Sequence, residues 1–211
     1  MSYKLETTTP PAAEPLSLSA VKAHVRVDHD DDDSVLTDLI ALARTICEDY
    51  TGRALITRSY SLWLDVWPQT SKALAWWDGA RDGVWPVDMQ RAFSLPMPPL
   101  AAVASIEIYA ADDSNAAFDS GNYHADTAAT PGRIVLAEGA TPPLPGRRVN
   151  GIEVRYTAGY GATGADVPSP LKQGMLQLIA HFYDHRGDDY TAALRASGAA
   201  ALFQPYRVAG L

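Results

Sequence analysis

The chain has 211 residues, a formal net charge of −8, 47% hydrophobic and 20% charged residues, and one cysteine, Cys47. That composition suffices for a core without staples, excludes an internal disulfide and fits a reducing cytoplasm. With no Lys/Arg cluster beyond Arg147-Arg148, it excludes a protein that wraps nucleic acid; no run of 18 apolar residues offers a membrane span, and no apolar h-region follows Met1, so no signal peptide is expected.

Residues 1–16 hold Thr7-Thr8-Thr9-Pro10-Pro11 and Pro15, which predicts a flexible or extended N-terminal arm. A short helix follows over 19–26, capped by Ser17 or Ser19, with Leu18, Val21 and Val25 on one face. The acidic run Asp28-His29-Asp30-Asp31-Asp32-Asp33 leads into a second helix over 34–51, where Asp32 or Asp33 can cap and the carboxylates favour the positive end. Leu36, Leu39, Ile40, Ala43, Ile46, Cys47 and Tyr50 recur at helical spacing, and Gly52 suits a left-handed stop.

The period then changes to two. Tyr60, Leu62, Leu64 and Val66 alternate with Ser59, Ser61, Trp63 and Asp65, which predicts a strand. Residues 68–90 read as irregular, with Trp76, Trp77 and Trp85 among Gly, Asp and Pro. Further short strands are expected near 103–110, 123–125, 133–136 and 152–156, separated by turns rich in Pro and Gly. Helical spacing returns over 169–186, with Ser169 as cap, Pro170 at the first helical position and Leu171, Met175, Leu178, Ile179 and Phe182 as the stripe. An Ala-rich tail, 188–211, has a possible short helix over 192–201 and ends near Phe203-Gln204-Pro205-Tyr206-Arg207. The fold class expected is α+β: two N-terminal helices, a small mostly antiparallel β-sheet drawn from 59–157, a third helix and a C-terminal tail.

The chemical motifs fail one by one. Gly159-Tyr160-Gly161-Ala162-Thr163-Gly164 matches G-x-G-x-x-G, but Pro168 and Pro170 bar a helix from opening on the last glycine, so a turn is expected. Read as an EF-hand loop, the run from Asp28 needs Gly and Glu where Asp33 and Leu39 stand. His181 and His185 are four apart, but Phe182 replaces the Glu of a zincin and no further ligands cluster nearby. Ser169-Pro170-Leu171-Lys172 and Ser19-Ala20-Val21-Lys22 match S-x-x-K without the companion motifs. Cys47 lies on an apolar stripe, as a buried inert thiol does. No catalytic, metal or cofactor site is therefore expected. Trp76, Trp77 and Trp85 are candidate protein-interface aromatics, or else cover their own sheet.

Several stretches together resemble a known family. They are Leu16-Ser17-Leu18-Ser19-Ala20-Val21-Lys22-Ala23-His24-Val25-Arg26-Val27, Leu39-Ile40-Ala41-Leu42-Ala43-Arg44 and Cys47-Glu48-Asp49-Tyr50-Thr51-Gly52-Arg53-Ala54-Leu55-Ile56. Tyr156-Thr157-Ala158-Gly159-Tyr160-Gly161, Val167-Pro168-Ser169-Pro170-Leu171-Lys172-Gln173 and His181-Phe182-Tyr183-Asp184-His185-Arg186-Gly187 follow in order. This pattern resembles the head–tail connector, or head-completion adaptor, of long-tailed phages and of phage-like gene transfer agents. The likeness covers residues 16–187 and departs in the Trp-rich segment 70–90 and the Ala-rich tail.

The resemblance implies a connector domain over 17–187 and a structural job without catalysis. It implies a ring, usually twelvefold, below the portal of a virion neck, assembled in the bacterial cytoplasm. Its partners would be the portal protein, copies of itself, tail-side neck proteins and double-stranded DNA that passes without sequence-specific binding. Asp30, Asp31, Asp32 and Asp33 are a candidate channel-facing or acidic surface; facing the channel, they would repel the duplex and let it slide. Leu202, Phe203, Pro205, Tyr206 and Arg207 are the candidate portal contact, a segment expected to order on binding and to be removable without unfolding the domain. The alternatives are a tail-side completion or terminator protein, and a carbohydrate-acting hydrolase with the tryptophans as sugar platform.

Overall fold

The computed structural model describes residues 3–68 and 92–208. The chain forms two units. One comprises Met1–Thr9, Ser59–Pro96 and Leu100–Thr157; the other comprises Pro10–Arg58, Met97–Pro99 and Ala158–Leu211. The α+β class expected from the sequence is the one observed.

The second unit is helical. Helix α1 spans Leu18–Val25; Ser17 is its cap, its hydroxyl accepting from the Ala20 N–H at 3.2 Å. Helix α2 spans Asp33–Thr51 and closes on Gly52, whose φ of 68° is the left-handed conformation that glycine adopts without strain. Helix α3 spans Ser169–Asp184. Ser169 does not cap it: Pro168 holds that position, no side chain caps, and Pro170 falls one place later than expected, still within the first turn where its missing N–H costs nothing.

The tail is helical too. Helix α4 spans Tyr190–Ala196, capped by Asp189, which accepts from Thr191 and Ala192; helix α5 spans Ala199–Phe203 after a left-handed Gly198, and a 3-10 turn covers Gln204–Tyr206. Leu36, Ile40, Ala43 and Cys47 of α2 share one core with Leu171, Met175, Leu178 and Ile179 of α3, with Leu194 of α4 and with Phe203 of α5. Each such buried aliphatic side chain contributes about 1.5–3 kcal/mol relative to exposure.

The first unit is built of strands: β1 Tyr3–Thr7, β2 Arg58–Leu64, β3 Ala92–Ser94, β4 Leu100–Tyr109, β5 Asn115–Ala117, β6 Tyr123–Asp126, β7 Arg133–Leu136 and β8 Ile152–Ala158. They make a five-stranded sheet ordered β1-β2-β8-β4-β5 and a three-stranded sheet ordered β3-β7-β6. β1 runs antiparallel to β2 with Leu5 opposite Leu62, so this part of the N-terminal segment is a sheet edge. β6 and β3 both pair antiparallel with β7. Tyr60, Leu62 and Leu64 are buried as their alternation predicts, and Tyr60 stacks on Tyr156 at 5.4 Å between ring centroids. The alternation ends there: Val66 lies past the strand and is exposed.

Candidate functional site

The stretch Glu48 to Arg53, at the end of α2, organises the helical unit. Glu48 is buried; its carboxylate accepts from the Leu55 N–H at 2.9 Å, from Arg44 at 3.2 Å and from Arg58 at 2.5 Å. One charge thus ties the helix end to the chain that leaves it, while two guanidinium groups compensate its burial. The second signature meets the first. The Gly161 carbonyl accepts from the Thr57 N–H at 2.8 Å, and Tyr160 N–H donates to Leu55 at 3.3 Å. Gly159 has φ 143°, and a Cβ there would lie 2.4 Å from the Thr57 backbone, so only glycine permits the approach. The G-x-G-x-x-G pattern is thus a packing turn. Asp166 accepts from the Thr163 N–H and hydroxyl within it.

The same helix end receives the tail. Tyr50 Oη donates to Gln204 Oε1 at 2.7 Å, Arg53 Nε donates to the Tyr206 carbonyl at 2.5 Å, and the Val208 N–H donates to the Thr51 carbonyl at 2.9 Å. The Arg207 guanidinium lies over the Tyr50 ring at 5.8 Å. Of the five tail residues singled out by sequence, Phe203 is fully buried in the helical core. Leu202 and Tyr206 are half-buried, and Pro205 and Arg207 are exposed. The tail is therefore already folded onto α2 and α3. This burial argues against a tail that can be removed without unfolding the domain.

The acidic run is partly neutralised at its base. Lys22 Nζ donates to Asp30 at 2.6 Å and to Asp33 at 2.7 Å. The hydrogen bond from Lys22 holds Asp30 below the usual carboxylate range, and the bonds to Asp30 and Asp33 raise Lys22. Asp32 occupies the cap position of α2, but its side chain does not cap; it accepts from Tyr183 Oη at 2.5 Å, which raises the phenol. Asp31 projects furthest, with 97% of its side chain exposed and only His29 nearby at 3.8 Å. Of Asp30 to Asp33, Asp30 and Asp31 are thus the two that face solvent. Trp76, Trp77 and Trp85 lie outside the described residues.

One polar network was not visible in the sequence. Glu153 of β8 is buried and accepts from Ser61 Oγ at 2.8 Å, from Tyr109 Oη at 3.1 Å and from Arg155 at 3.0 and 2.9 Å. Burial opposes its ionisation, but the bonds from Arg155, Ser61 and Tyr109 outweigh that and lower its pKa. A shallow cavity of ≈ 400 Å³ lies over it, lined by Thr8, Ser59, Ser61, Glu153, Arg155 and Thr157. The alternation Ile152-Glu153-Val154-Arg155 hints at a polar face, but no spacing reveals its partners on β2 and β4. His181 and His185 stack at 4.5 Å, and His181 pairs with Asp188 at 2.9 Å. No group of three or more His, Cys, Asp or Glu that could hold a metal occurs among the described residues. Burial pushes the Cys47 thiol far up, so the residue stays a protonated core side chain.

Residues 15–109 match the family described as phage gp6-like head-tail connector protein. The head–tail connector resemblance read from the sequence is thereby borne out. Among curated proteins, none matches the chain. Three solved structures share the fold almost end to end. A chain from the virion of a native gene transfer agent (GTA) particle is 24% identical with a TM-score of 0.74, over 98% of this chain and 96% of that one. A chain from the neck of an empty GTA particle, computed with C6 symmetry, is 24% identical with a TM-score of 0.72, over 99% and 97%. One from the neck of a native GTA particle, computed with C12 symmetry, is 24% identical with a TM-score of 0.66, over 99% and 97%.

Proposed function

We propose that this chain, whose residues 15–109 carry the gp6-like head–tail connector pattern, is a structural adaptor in the neck of a phage-like particle. It forms a ring, twelvefold by analogy with the family, below the portal, extends the DNA channel and offers the platform on which the tail is attached. The observation that carries this reading is the pairing of that family match with a fold shared over nearly the whole length of GTA neck chains. The roles of the side chains described above agree with it, since the signature residues are spent on packing. Glu48, Tyr50, Gly52 and Arg53 fix the end of α2 and the tail rather than approach a reacting group.

Portal contact falls to the outward part of the tail, Pro205 and Arg207 with the edges of Leu202 and Tyr206. Phe203 serves from inside, by holding that segment in place. Asp30 and Asp31 are the channel-facing candidates, where negative charge would keep DNA from sticking. Mixing the full chain with its portal protein tests the reading. Rings seated on the portal are expected by electron microscopy, and Arg207→Glu is expected to weaken co-sedimentation while leaving the circular dichroism spectrum unchanged. Protein that stays monomeric and ignores the portal overturns it.

A further inference from the structure

The loop between β7 and β8 displays apolar side chains to water although it is firmly held. Its Gly146 N–H donates to the Tyr109 carbonyl at 2.9 Å, and the Tyr109 N–H donates to the Gly151 carbonyl at 2.9 Å. Arg147 bonds Asp113 at 2.7 Å and lies over the Tyr109 ring at 4.5 Å. The Asn150 N–H donates to Asp65 at 3.0 Å. A Cβ on Gly146 would lie 2.5 Å from the Ala111 nitrogen, so the loop sits close on the end of β4. Between and beside these anchors Leu144 is 90% exposed and Val149 65%, and Val66, next to Asp65, is 54% exposed. A leucine so exposed is ordinary on a floppy loop. On a pinned one it is a preformed knob, whose docking forfeits little conformational entropy.

The helical unit carries a surface of opposite character. Helix α2 buries Leu36, Ile40, Ala43 and Cys47, yet Val35 and Leu42 on another face are 39% and 43% exposed, with Leu39 half-buried between them. Asp38 and Asp49 stand on that same face, three residues after Val35 and seven after Leu42. Both are exposed, and neither has an ion-pair partner among the described residues. On the loop the exposed cation is Arg148, also without an ion pair among them. Residues 144–149 of the loop are thus apolar with a free positive charge, and the outer face of α2 is apolar with free negative charges.

We propose that Leu144 and Val149 of one copy dock on the outer face of α2, at Val35, Leu39 and Leu42, of the next copy, with Arg148 set against Asp38 or Asp49. The two surfaces differ, so the contact is heterologous and repeats head to tail, the geometry that closes into a ring. The assignment rests on the ring reading above and adds to it which surfaces meet.

Cross-linking tests it with the full chain. Cys47 is fully buried and does not compete. Leu144→Cys protein is mixed with Leu42→Cys protein and treated with a short bis-maleimide. A cross-linked dimer holding one of each is expected, well above the dimers that either variant gives alone. In sedimentation, Leu144→Asp is expected to weaken self-association about tenfold or more, the effect of losing one buried leucine. A mixed dimer no stronger than the single-variant background overturns the contact. If micrographs of the wild-type chain on its portal still show rings, only this contact falls; if rings are missing as well, the adaptor reading falls with it.

Discussion

Gly174 of α3 and Phe203 of α5 are in contact so close that a Cβ on Gly174 would lie 2.4 Å from Phe203 Cε1. The glycine is therefore a socket for the ring, and the ring fastens the tail to the helical unit. In an exposed helix, Gly→Ala would gain about 1 kcal/mol. Here the ring is enclosed and has nowhere to go.

Gly174→Ala is expected to destabilise the chain, because overpacking at about 1–3 kcal/mol outweighs the propensity gain. Phe203→Ala is expected to cost about 3–5 kcal/mol. Deletion of 190–211 should be at least as damaging. Urea unfolding followed by circular dichroism measures all three. A deletion that melts like the wild type would refute the socket.

Glu48 gives a second test. Its side chain is 5% exposed, that of Arg58 8%. Glu48→Ala removes a carboxylate shared by Arg44 and Arg58 and the acceptor of the Leu55 N–H, while Arg44 keeps Glu14, and is expected to cost about 3–5 kcal/mol. Glu48→Gln keeps the bond to Leu55 and should fall between. Equal losses for both would place the effect in the charge rather than in packing, since glutamine keeps the side chain's size.

A third concerns acid. Glu153 is held below its ordinary value, so its contribution is present above the unfolded pKa of about 4.3 and is lost as pH falls through the lower folded value. The wild type should therefore lose stability on acidification through that window, and Glu153→Gln should lose less over the same window. Urea midpoints at pH 7 and pH 3.5 for both proteins decide it. Other carboxylates titrate alike in the two, so the difference isolates Glu153.

The acidic run supplies a fourth. Lys22→Met removes the cation between Asp30 and Asp33. Global stability should change little, since exposed pairs count for little. Amide exchange over residues 27–33 should quicken instead. Unchanged exchange there would show that the backbone bonds alone hold the loop.

Much of the fold was legible because periodicity reports burial. The stripe from Leu36 to Cys47 and that from Leu171 to Phe182 drew α2 and α3 to within two residues at each end. The cap at Ser17 and the stop at Gly52 followed from side-chain chemistry alone. β1 was less plain, because Tyr3–Thr7 has one apolar residue facing the sheet pair, Leu5, and owes its form to the edge of β2. The tail misled for a similar reason: an Ala-rich stretch has no strong stripe, and Phe203 is placed by Gly174, 29 positions earlier. Of the candidate surfaces, Asp31 announced itself, whereas the loop bearing Leu144 read as a mere Pro/Gly connection. Exposure on a pinned loop is a tertiary fact, made by Tyr109 at the end of β4, Asp65 just after β2 and Asp113 in the β4–β5 turn.

The helical core joins Leu16 near one end of the chain to Phe203 near the other, with residues 59–96 and 100–157 between them in sequence. A core assembled from such distant segments must close very long loops before its contacts reward it, which slows folding. Without α3 and α5, the apolar stripe of α2 lacks its partners. Producing this chain in pieces, or fusing a bulky partner into the α3–α5 region, should favour aggregation over recovery.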